Sequence, residues 1–166
     1  MKGIIFLDRD WVVNKSAKAW EYIKSRQEFV WIDWVKEFIL NCNKSDFKVV
    51  IITNQQWIGK WLYNIDDLEN IFKNINKDLA QIWAKIDNFY FCPHLVIDNC
   101  NCRKPKIWML EKACKDLDFY QKEKMFLVWD SDSDIQCANN FGIKSLKIES
   151  DKFRDYLDKI TVFLWK

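Results

Sequence analysis

Short apolar runs alternate along this chain with longer segments in which apolar residues recur at helical spacing. The apolar runs lie at 3–8, 49–54, 89–91, 125–130 and near 145–148. Helical spacing covers about 33–43, 65–83, 107–117, a segment beginning near 131–133 and about 151–159, while 15–24 predicts a loop. This alternation predicts right-handed βαβ units, and therefore a three-layer α/β/α sandwich around a central parallel sheet.

The chain is of ordinary size and close to electrical balance. Its 166 residues predict one domain, 1–166, and its 26 Lys and Arg nearly match its 24 Asp and Glu. A net charge of +2 without a basic stripe argues against a nucleic-acid partner. No apolar run approaches the roughly 18 residues that span a bilayer, and the N-terminus does not resemble a signal peptide. We expect a monomer in the cytoplasm, without a membrane partner.

Polar residues follow the predicted strands, where a parallel sheet places its ligands. They are Asp8, Arg9 and Asp10 after the first strand, Thr53, Asn54 and Gln55 after the second, Cys92, Pro93 and His94 after the third, and Asp130, Ser131, Asp132, Ser133 and Asp134 after the fourth. Acidic residues at strand ends often only cap helices. Four polar strand ends in one chain instead favour a site.

The acidic strand ends have the composition of a phosphoryl-transfer site. Carboxylates of Asp8, Asp10 and Asp130 offer the hard oxygen ligands that Mg²⁺ prefers. One carboxylate could attack phosphorus, while another protonates the leaving oxygen and later activates water. Thr53 and Asn54 offer groups for phosphate oxygens, and Lys104 supplies positive charge. We therefore predict a small phosphorylated metabolite as the substrate.

Four potential metal ligands crowd into the polar segment 92–106. Cys92, His94, Cys100 and Cys102 supply three thiolates and one imidazole within eleven residues, a set suited to a closed, structural Zn²⁺ site. Such a site would hold the loop that carries Arg103 and Lys104. The alternative is four unrelated buried residues. The other cysteines, at 42, 114 and 137, predict small buried apolar side chains.

Four segments, FLDRD, IITNQ, CRKPK and VWDSDSD, resemble in order the four motifs of the haloacid dehalogenase-like phosphatases. The resemblance covers nearly the whole chain and implies a Rossmann-like sheet without a large cap domain. The stretch CPH…CNCRKPK resembles the branch that contains D-glycero-D-manno-heptose 1,7-bisphosphate phosphatases and histidinol-phosphate phosphatases.

The resemblance also implies roles for single residues. Asp8 would be the nucleophile that forms an aspartyl-phosphate, and Asp10 the general acid and base. Mg²⁺ would be held by Asp8, the backbone carbonyl of Asp10, and Asp130, with Asp134 orienting the metal's surroundings. Thr53 and Lys104 would stabilise the transferring phosphoryl group. Substrate binding is expected of Arg9, Thr53, Asn54, Gln55, Arg103, Lys104 and Ser131.

Glycine is scarce and tryptophan abundant. The chain has 3 Gly and 10 Trp, whereas the usual share of about 7% predicts roughly 12 Gly. Tryptophan occupies seven positions at which the family usually has glycine: Trp11, Trp34, Trp57, Trp61, Trp83, Trp108 and Trp129. Indoles at such turns would crowd the nucleophile and the metal. We hypothesise that these tryptophans are UGA codons, which some bacterial lineages read as glycine.

The first choice of function is a Mg²⁺-dependent D-glycero-D-manno-heptose 1,7-bisphosphate 7-phosphatase, because NQQWIGKW resembles the heptose enzymes' motif once glycines are restored. The short Cys-rich loop keeps histidinol-phosphate phosphatase open. A further alternative is an inactive, zinc-stabilised binding protein in which the tryptophans are real.

Overall fold

The computed structural model describes residues 1–15, 23–149 and 152–164. Its described strands are β1 (Gly3–Leu7), β2 (Phe47–Asn54), β3 (Asn88–Cys92), β4 (Met125–Trp129) and β5 (Lys144–Lys147). They form one sheet in the order β3-β2-β1-β4-β5, and every neighbouring pair is parallel. The predicted parallel sheet is confirmed.

The α-helices of the described chain are α1 (Val35–Lys44), α2 (Gln56–Gly59), α3 (Ile65–Ala80), α4 (Trp108–Leu117), α5 (Asp132–Phe141) and α6 (Leu157–Leu164). Four of them occupy predicted segments, α2 is an addition, and α6 begins near the end of the predicted segment 151–159 and runs beyond it. The short α2 was not predicted, because four residues show no period. Of the predicted loop 15–24, residues 16–22 lie outside the described residues, as does the start of the predicted segment 151–159.

Local sequence signals explain where the longest helix begins. Asn64 accepts a hydrogen bond from the Asp67 backbone N–H at 2.9 Å, and the Asp67 carboxylate accepts one from the Asn64 backbone N–H at 3.0 Å. This reciprocal capping box satisfies two donors that the first turn of α3 leaves unpaired. Asn64 is therefore the N-cap of α3.

Alternate residues of the strands supply two apolar cores. Side chains such as Ile5, Leu7 and Ile51 face one core together with α1 and α3. Their neighbours, such as Phe6 and Ile52, face a second core built with α4 and α5. Because both faces of the sheet are covered, the central strands β1, β2 and β4 are apolar at most positions, whereas the edge strand β5 is mostly polar. The predicted three-layer sandwich is therefore confirmed, and the described residues contain no large cap domain.

The strand order fixes where a ligand can bind. From β1 the chain moves outward to β2 and β3, and then returns to the other side of β1 to form β4. The crevice of such a sheet opens at the carboxyl ends of the strands on either side of this reversal. Asp8 follows β1 and Asp130 follows β4. No helix in the described residues is long and apolar enough to cross a membrane.

Four tryptophans adopt a backbone conformation that favours glycine. Trp11, Trp34, Trp61 and Trp83 have φ angles of 70°, 74°, 60° and 61°. Only three other described non-glycine residues have positive φ, and they are Asp or Asn, the types that tolerate it best. Trp31, by contrast, is absent from this set and packs edge-on against Phe29. The backbone thus separates these four tryptophans from an ordinary packed one.

Candidate active site

Three carboxylates meet at the reversal point of the sheet. Asp8, Asp130 and Asp134 each offer an oxygen, and these atoms lie within 4.8 Å of one another. Asp134 comes from the first turn of α5 and is fully buried, whereas Asp130 is half-buried. Asp134 lies in the position that the sequence had led us to give to the Asp10 side chain. This donor set suits a hard divalent cation such as Mg²⁺.

Lys104 is buried among these carboxylates. Its Nζ lies 2.8 Å from Asp8 Oδ1 and 2.5 Å from Asp134 Oδ1, and it donates to the Ile52 carbonyl at 3.1 Å. The backbone around Lys104 is held by Asn54, whose side chain accepts from the Lys104 N–H at 3.0 Å and donates to its carbonyl at 3.2 Å. Asn54 therefore positions Lys104.

The three clustered carboxylates of Asp8, Asp130 and Asp134 need a cation to balance their negative charge. Burial has the largest effect on Asp8 and raises its pKa. Attraction to Lys104 opposes this rise, repulsion from Asp134 and Asp130 adds to it, and the net pKa is about 8. Burial and the charge of Asp134 raise the pKa of Asp130 to about 6. One lysine does not balance three clustered acids, because each remaining negative charge opposes the next. A bound divalent cation would hold them ionised.

The Asp10 carboxylate lies in a different set of contacts. Arg9 donates to both of its oxygens, with Nη2 at 2.6 and 2.8 Å, and Asn14 donates to Oδ1 at 3.1 Å. Burial opposes the charge, but the ion pair with Arg9 and the donated hydrogen bonds together lower the pKa of Asp10. Arg9 itself is buried at 2% exposure. In this position Arg9 holds Asp10, and the substrate contact predicted for Arg9 stays a prediction.

Gln55 and Thr53 continue this network at the end of β2. Gln55 Nε2 donates to Asp10 Oδ2 at 2.8 Å and to Thr53 Oγ1 at 2.9 Å. Tyr63 donates its hydroxyl hydrogen to Gln55 Oε1. Gln55 is fully buried, and the substrate contact predicted for it stays a prediction. Thr53 joins this network through its hydroxyl oxygen, which accepts the hydrogen bond from Gln55.

Two predicted substrate contacts lie at the rim. Arg103 is half-buried and donates from Nη1 to the His94 carbonyl at 3.3 Å. Ser131 is half-buried, and its hydroxyl donates to Asp134 Oδ2 and lies 3.0 Å from the Ser133 hydroxyl. Ser131 therefore holds Asp134 beside Lys104. Their roles toward a substrate stay predictions.

The predicted zinc ligands do meet in space. Cys92 Sγ lies 3.5 Å from Cys100 Sγ and 3.7 Å from His94 Nδ1, and Cys102 Sγ lies 3.5 Å from Cys100 Sγ and 3.2 Å from His94 Nδ1. Tetrahedral Zn²⁺ with ordinary bond lengths separates two sulfurs by about 3.8 Å and sulfur from nitrogen by about 3.6 Å. The four side chains therefore fit Zn²⁺. The other cysteines, at 42, 114 and 137, are buried as predicted.

The Cys-rich loop packs against α2 at one glycine. The Gly59 N–H donates to the Pro93 carbonyl at 3.0 Å, and a Cβ on Gly59 would lie 2.8 Å from that oxygen. Only glycine permits this approach without a shift of the backbone. The loop that carries Arg103 and Lys104 is thereby joined to the segment that follows Thr53.

Sequence reasoning missed two members of the site, Asn14 and Tyr63. Asp134 was predicted at the acidic strand end, and its orienting role stays a prediction. Tyr63 gave no comparable signal, since it lies in the turn between α2 and α3.

Comparison with known proteins agrees with this geometry. A family model described as polynucleotide kinase 3 phosphatase matches residues 3–149. The D-glycero-alpha-D-manno-heptose-1,7-bisphosphate 7-phosphatase of Campylobacter jejuni is 34% identical over 92% of this chain and 88% of its own. The chain belongs to the haloacid dehalogenase-like phosphatases.

Two further relatives bear on the branch of this phosphatase family. The crystal structure of D,D-heptose 1,7-bisphosphate phosphatase from B. bronchiseptica, complexed with magnesium and phosphate, has a TM-score of 0.83 and 29% identity, covering 95% of this chain and 86% of its own. The histidine biosynthesis bifunctional protein of C. jejuni is 30% identical over 87% of this chain, but only 41% of its own length. These matches confirm the resemblance inferred from the four motifs.

Proposed function

We propose that this protein is a Mg²⁺-dependent phosphatase that removes the 7-phosphate of a D-glycero-D-manno-heptose 1,7-bisphosphate through an aspartyl-phosphate on Asp8. The observation that carries the proposal is the meeting of Asp8, Lys104 and two further carboxylates at the reversal point of the sheet. Relatives named as heptose bisphosphate phosphatases match most of their own length and most of this chain.

The first half of the reaction transfers the phosphoryl group to the protein. A carboxylate oxygen of Asp8 attacks phosphorus, and the bond from phosphorus to the sugar oxygen breaks. Asp10, protonated by the water-activating step of the preceding turnover, gives that proton to the sugar oxygen, so the sugar leaves as an alcohol. Although burial opposes it, the ion pair with Arg9 lowers the pKa of Asp10 and so favours giving up this proton. Lys104 and the hydroxyl of Thr53 are placed to stabilise the negative charge on the transferring oxygens.

The second half releases phosphate. Asp10 accepts a proton from water, the water oxygen attacks phosphorus, and the bond to the Asp8 oxygen breaks. The contacts from Arg9, Asn14 and Gln55 stabilise the ionised form of Asp10, which is the form that accepts this proton. Asp8 is then a free carboxylate again.

The residues present fit both metals. Asp8 and Asp130, with the Asp10 carbonyl predicted as a third ligand, would hold Mg²⁺, and Asp134 is placed close enough to join them. Mg²⁺ supplies positive charge that offsets the phosphate oxygens and the clustered carboxylates. Cys92, His94, Cys100 and Cys102 would hold a structural Zn²⁺.

A cleft beside the site has room for a small substrate. It measures about 480 Å³ and is lined by residues that include Gly59, Tyr63, Pro93 and His94. This volume suits a small metabolite rather than a polymer. Tyr63 lines this cleft and also belongs to the hydrogen-bonded network around Asp10, so the cleft lies next to that network.

Phosphate release from three matched substrates tests the proposal. We expect the purified protein with Mg²⁺ to show a higher kcat/KM for heptose 1,7-bisphosphate than for histidinol phosphate or for an oligonucleotide with a 3′-phosphate. Asp8→Asn should abolish turnover of all three. Preference for histidinol phosphate would instead support the alternative raised by the Cys-rich loop. Turnover that persists in Asp8→Asn would refute the assignment of the nucleophile.

A further inference from the structure

Tyr63, Gln55 and Thr53 form a buried chain of hydrogen bonds that ends at the proposed catalytic groups. The Tyr63 hydroxyl donates to Gln55 Oε1, and Gln55 Nε2 donates to Thr53 Oγ1 at 2.9 Å and to Asp10 Oδ2 at 2.8 Å. Tyr63, Gln55 and Thr53 are 8%, 0% and 1% exposed. Because solvent has little access, replacement partners for these atoms are few.

These hydrogen bonds run in one direction, because the amide of Gln55 has an accepting end and a donating end. Burial raises the pKa of Tyr63 to about 12, so its hydroxyl keeps its proton and donates it to Gln55 Oε1. The NH₂ group of Gln55 must then face Thr53 and Asp10. The reversed amide would place Oε1 against the Asp10 carboxylate, so that two acceptors would face each other without a proton.

The direction of the amide also fixes the hydroxyl of Thr53. Since Thr53 Oγ1 accepts from Gln55, its own hydrogen cannot point toward Gln55. That hydrogen is left for another acceptor. In the proposed reaction the available acceptor is an oxygen of the transferring phosphoryl group.

We propose that Tyr63 and Gln55 are positioning residues, which orient the Thr53 hydroxyl hydrogen toward the phosphoryl group and hold the Asp10 carboxylate in place. The inference rests on the proposed phosphatase function. Gln55 acts through Thr53 and Asp10, and Tyr63 acts through Gln55. This role is an alternative to the direct substrate contact predicted for Gln55.

Removing one hydroxyl tests the proposal. Tyr63→Phe keeps the ring and removes the donor. We expect kcat to fall about tenfold with KM within about twofold, because a misdirected Thr53 hydroxyl loses its hydrogen bond to the charged phosphoryl oxygens in the transition state. Tyr90→Phe is the matched control. The Tyr90 hydroxyl donates to Asp116 at 2.8 Å and takes no part in the hydrogen bonds that join Tyr63, Gln55 and Thr53. We expect Tyr90→Phe to leave kcat unchanged.

A double-mutant cycle separates positioning from general support of the fold. If Tyr63 acts through Thr53, Tyr63→Phe should lose most of its effect on kcat in a Thr53→Val background. The thermal midpoint of each variant is measured alongside. Should Tyr63→Phe fail to fold, Gln55→Met removes the amide at similar volume and is expected to show the same loss of kcat.

Full activity of Tyr63→Phe, or an equal loss in Tyr90→Phe, would overturn the positioning role. Additive effects with Thr53→Val would overturn the action of Tyr63 through Thr53. If the unaltered protein hydrolyses no phosphoester, the proposed function fails on its own. Orthovanadate, which mimics the phosphoryl transition state, then gives the readout. At least tenfold weaker vanadate binding by Tyr63→Phe supports the positioning role, and unchanged binding refutes it.

Discussion

Replacing Trp83 by glycine is expected to stabilise the protein, although most removals of tryptophan destabilise. Trp83 has a φ of 61° and its side chain is 93% exposed, so the indole buries almost nothing while the backbone is strained. The left-handed conformation costs a non-glycine residue about 1–2 kcal/mol. Glycine's greater freedom in the unfolded chain offsets about 0.4–1 kcal/mol of that relief. The expected net gain lies between about 0 and 1.6 kcal/mol, centred on about 0.8 kcal/mol. Trp61, with a φ of 60° and 92% exposure, should behave alike.

Urea unfolding of matched variants measures this gain. Trp83→Ala removes the same indole but keeps a Cβ, so the strain remains and no comparable gain is expected. Trp31→Gly is the opposite control, because the Trp31 Nε1 donates to Asp78 at 2.8 Å and its ring packs edge-on against Phe29. Its loss should cost about 3 kcal/mol or more. Each kcal/mol of change should move the thermal midpoint by about 2–4 °C.

The stabilities of these variants and the coding DNA together test whether tryptophan or glycine occupies these positions. A loss of stability in Trp83→Gly, or equal stabilities of Trp83→Ala and Trp83→Gly, would refute the strain argument. The coding DNA and the intact mass of the protein from its own cells test the decoding hypothesis itself. We expect UGA codons at the seven tryptophan positions. We also expect an intact mass below that of the written chain by several tryptophan-to-glycine differences. UGG codons, with a mass equal to that of the written chain, would contradict reassignment and favour a tryptophan-rich protein with crowded active-site turns.

The remaining predictions concern the charged site and the Cys-rich loop. Asp8→Asn should lower phosphate release at least about a thousandfold while the protein stays folded, since the nucleophile and not the core is lost; residual turnover above that level contradicts the mechanism. Folding raises the pKa of Asp8 from 3.8 to about 8 and of Asp130 to about 6 in the metal-free protein. The folded state therefore binds more protons than the unfolded state, so stability should fall as pH rises from about 4 to about 8, and added Mg²⁺ should reverse the fall; a midpoint that does not depend on pH over this window refutes it. A zinc-selective chelator, or Cys100→Ser, should lower the thermal midpoint and speed hydrogen exchange in 92–106 before turnover is lost; unchanged stability and exchange count against a structural Zn²⁺.

The sequence predicted the parts of the site that follow directly from strands. Apolar runs mark where β1, β2 and β4 end, and a parallel sheet brings those ends to one edge. The positions of Asp8, Thr53 and Asp130 therefore need only local pattern and one rule of topology. Likewise, the ligands in the Cys-rich loop lie close enough along the chain for spacing alone to bring them together.

Side-chain direction was beyond that reasoning. The sequence places Asp8 and Asp10 in one pocket, but the Asp10 carboxylate pairs with Arg9, because a buried guanidinium requires a counter-charge and Asp10 is the nearest that remains. Asp8 is already engaged by Lys104, which arrives from a loop 96 residues away. Which acid pairs with which base therefore depends on how two distant segments pack. For the same reason Tyr63 gave no signal in the sequence: its hydroxyl matters only after the turn between α2 and α3 has brought it against Gln55. Residues that act through another side chain are the ones that local patterns miss, and in this chain they determine which way the protons of the site point.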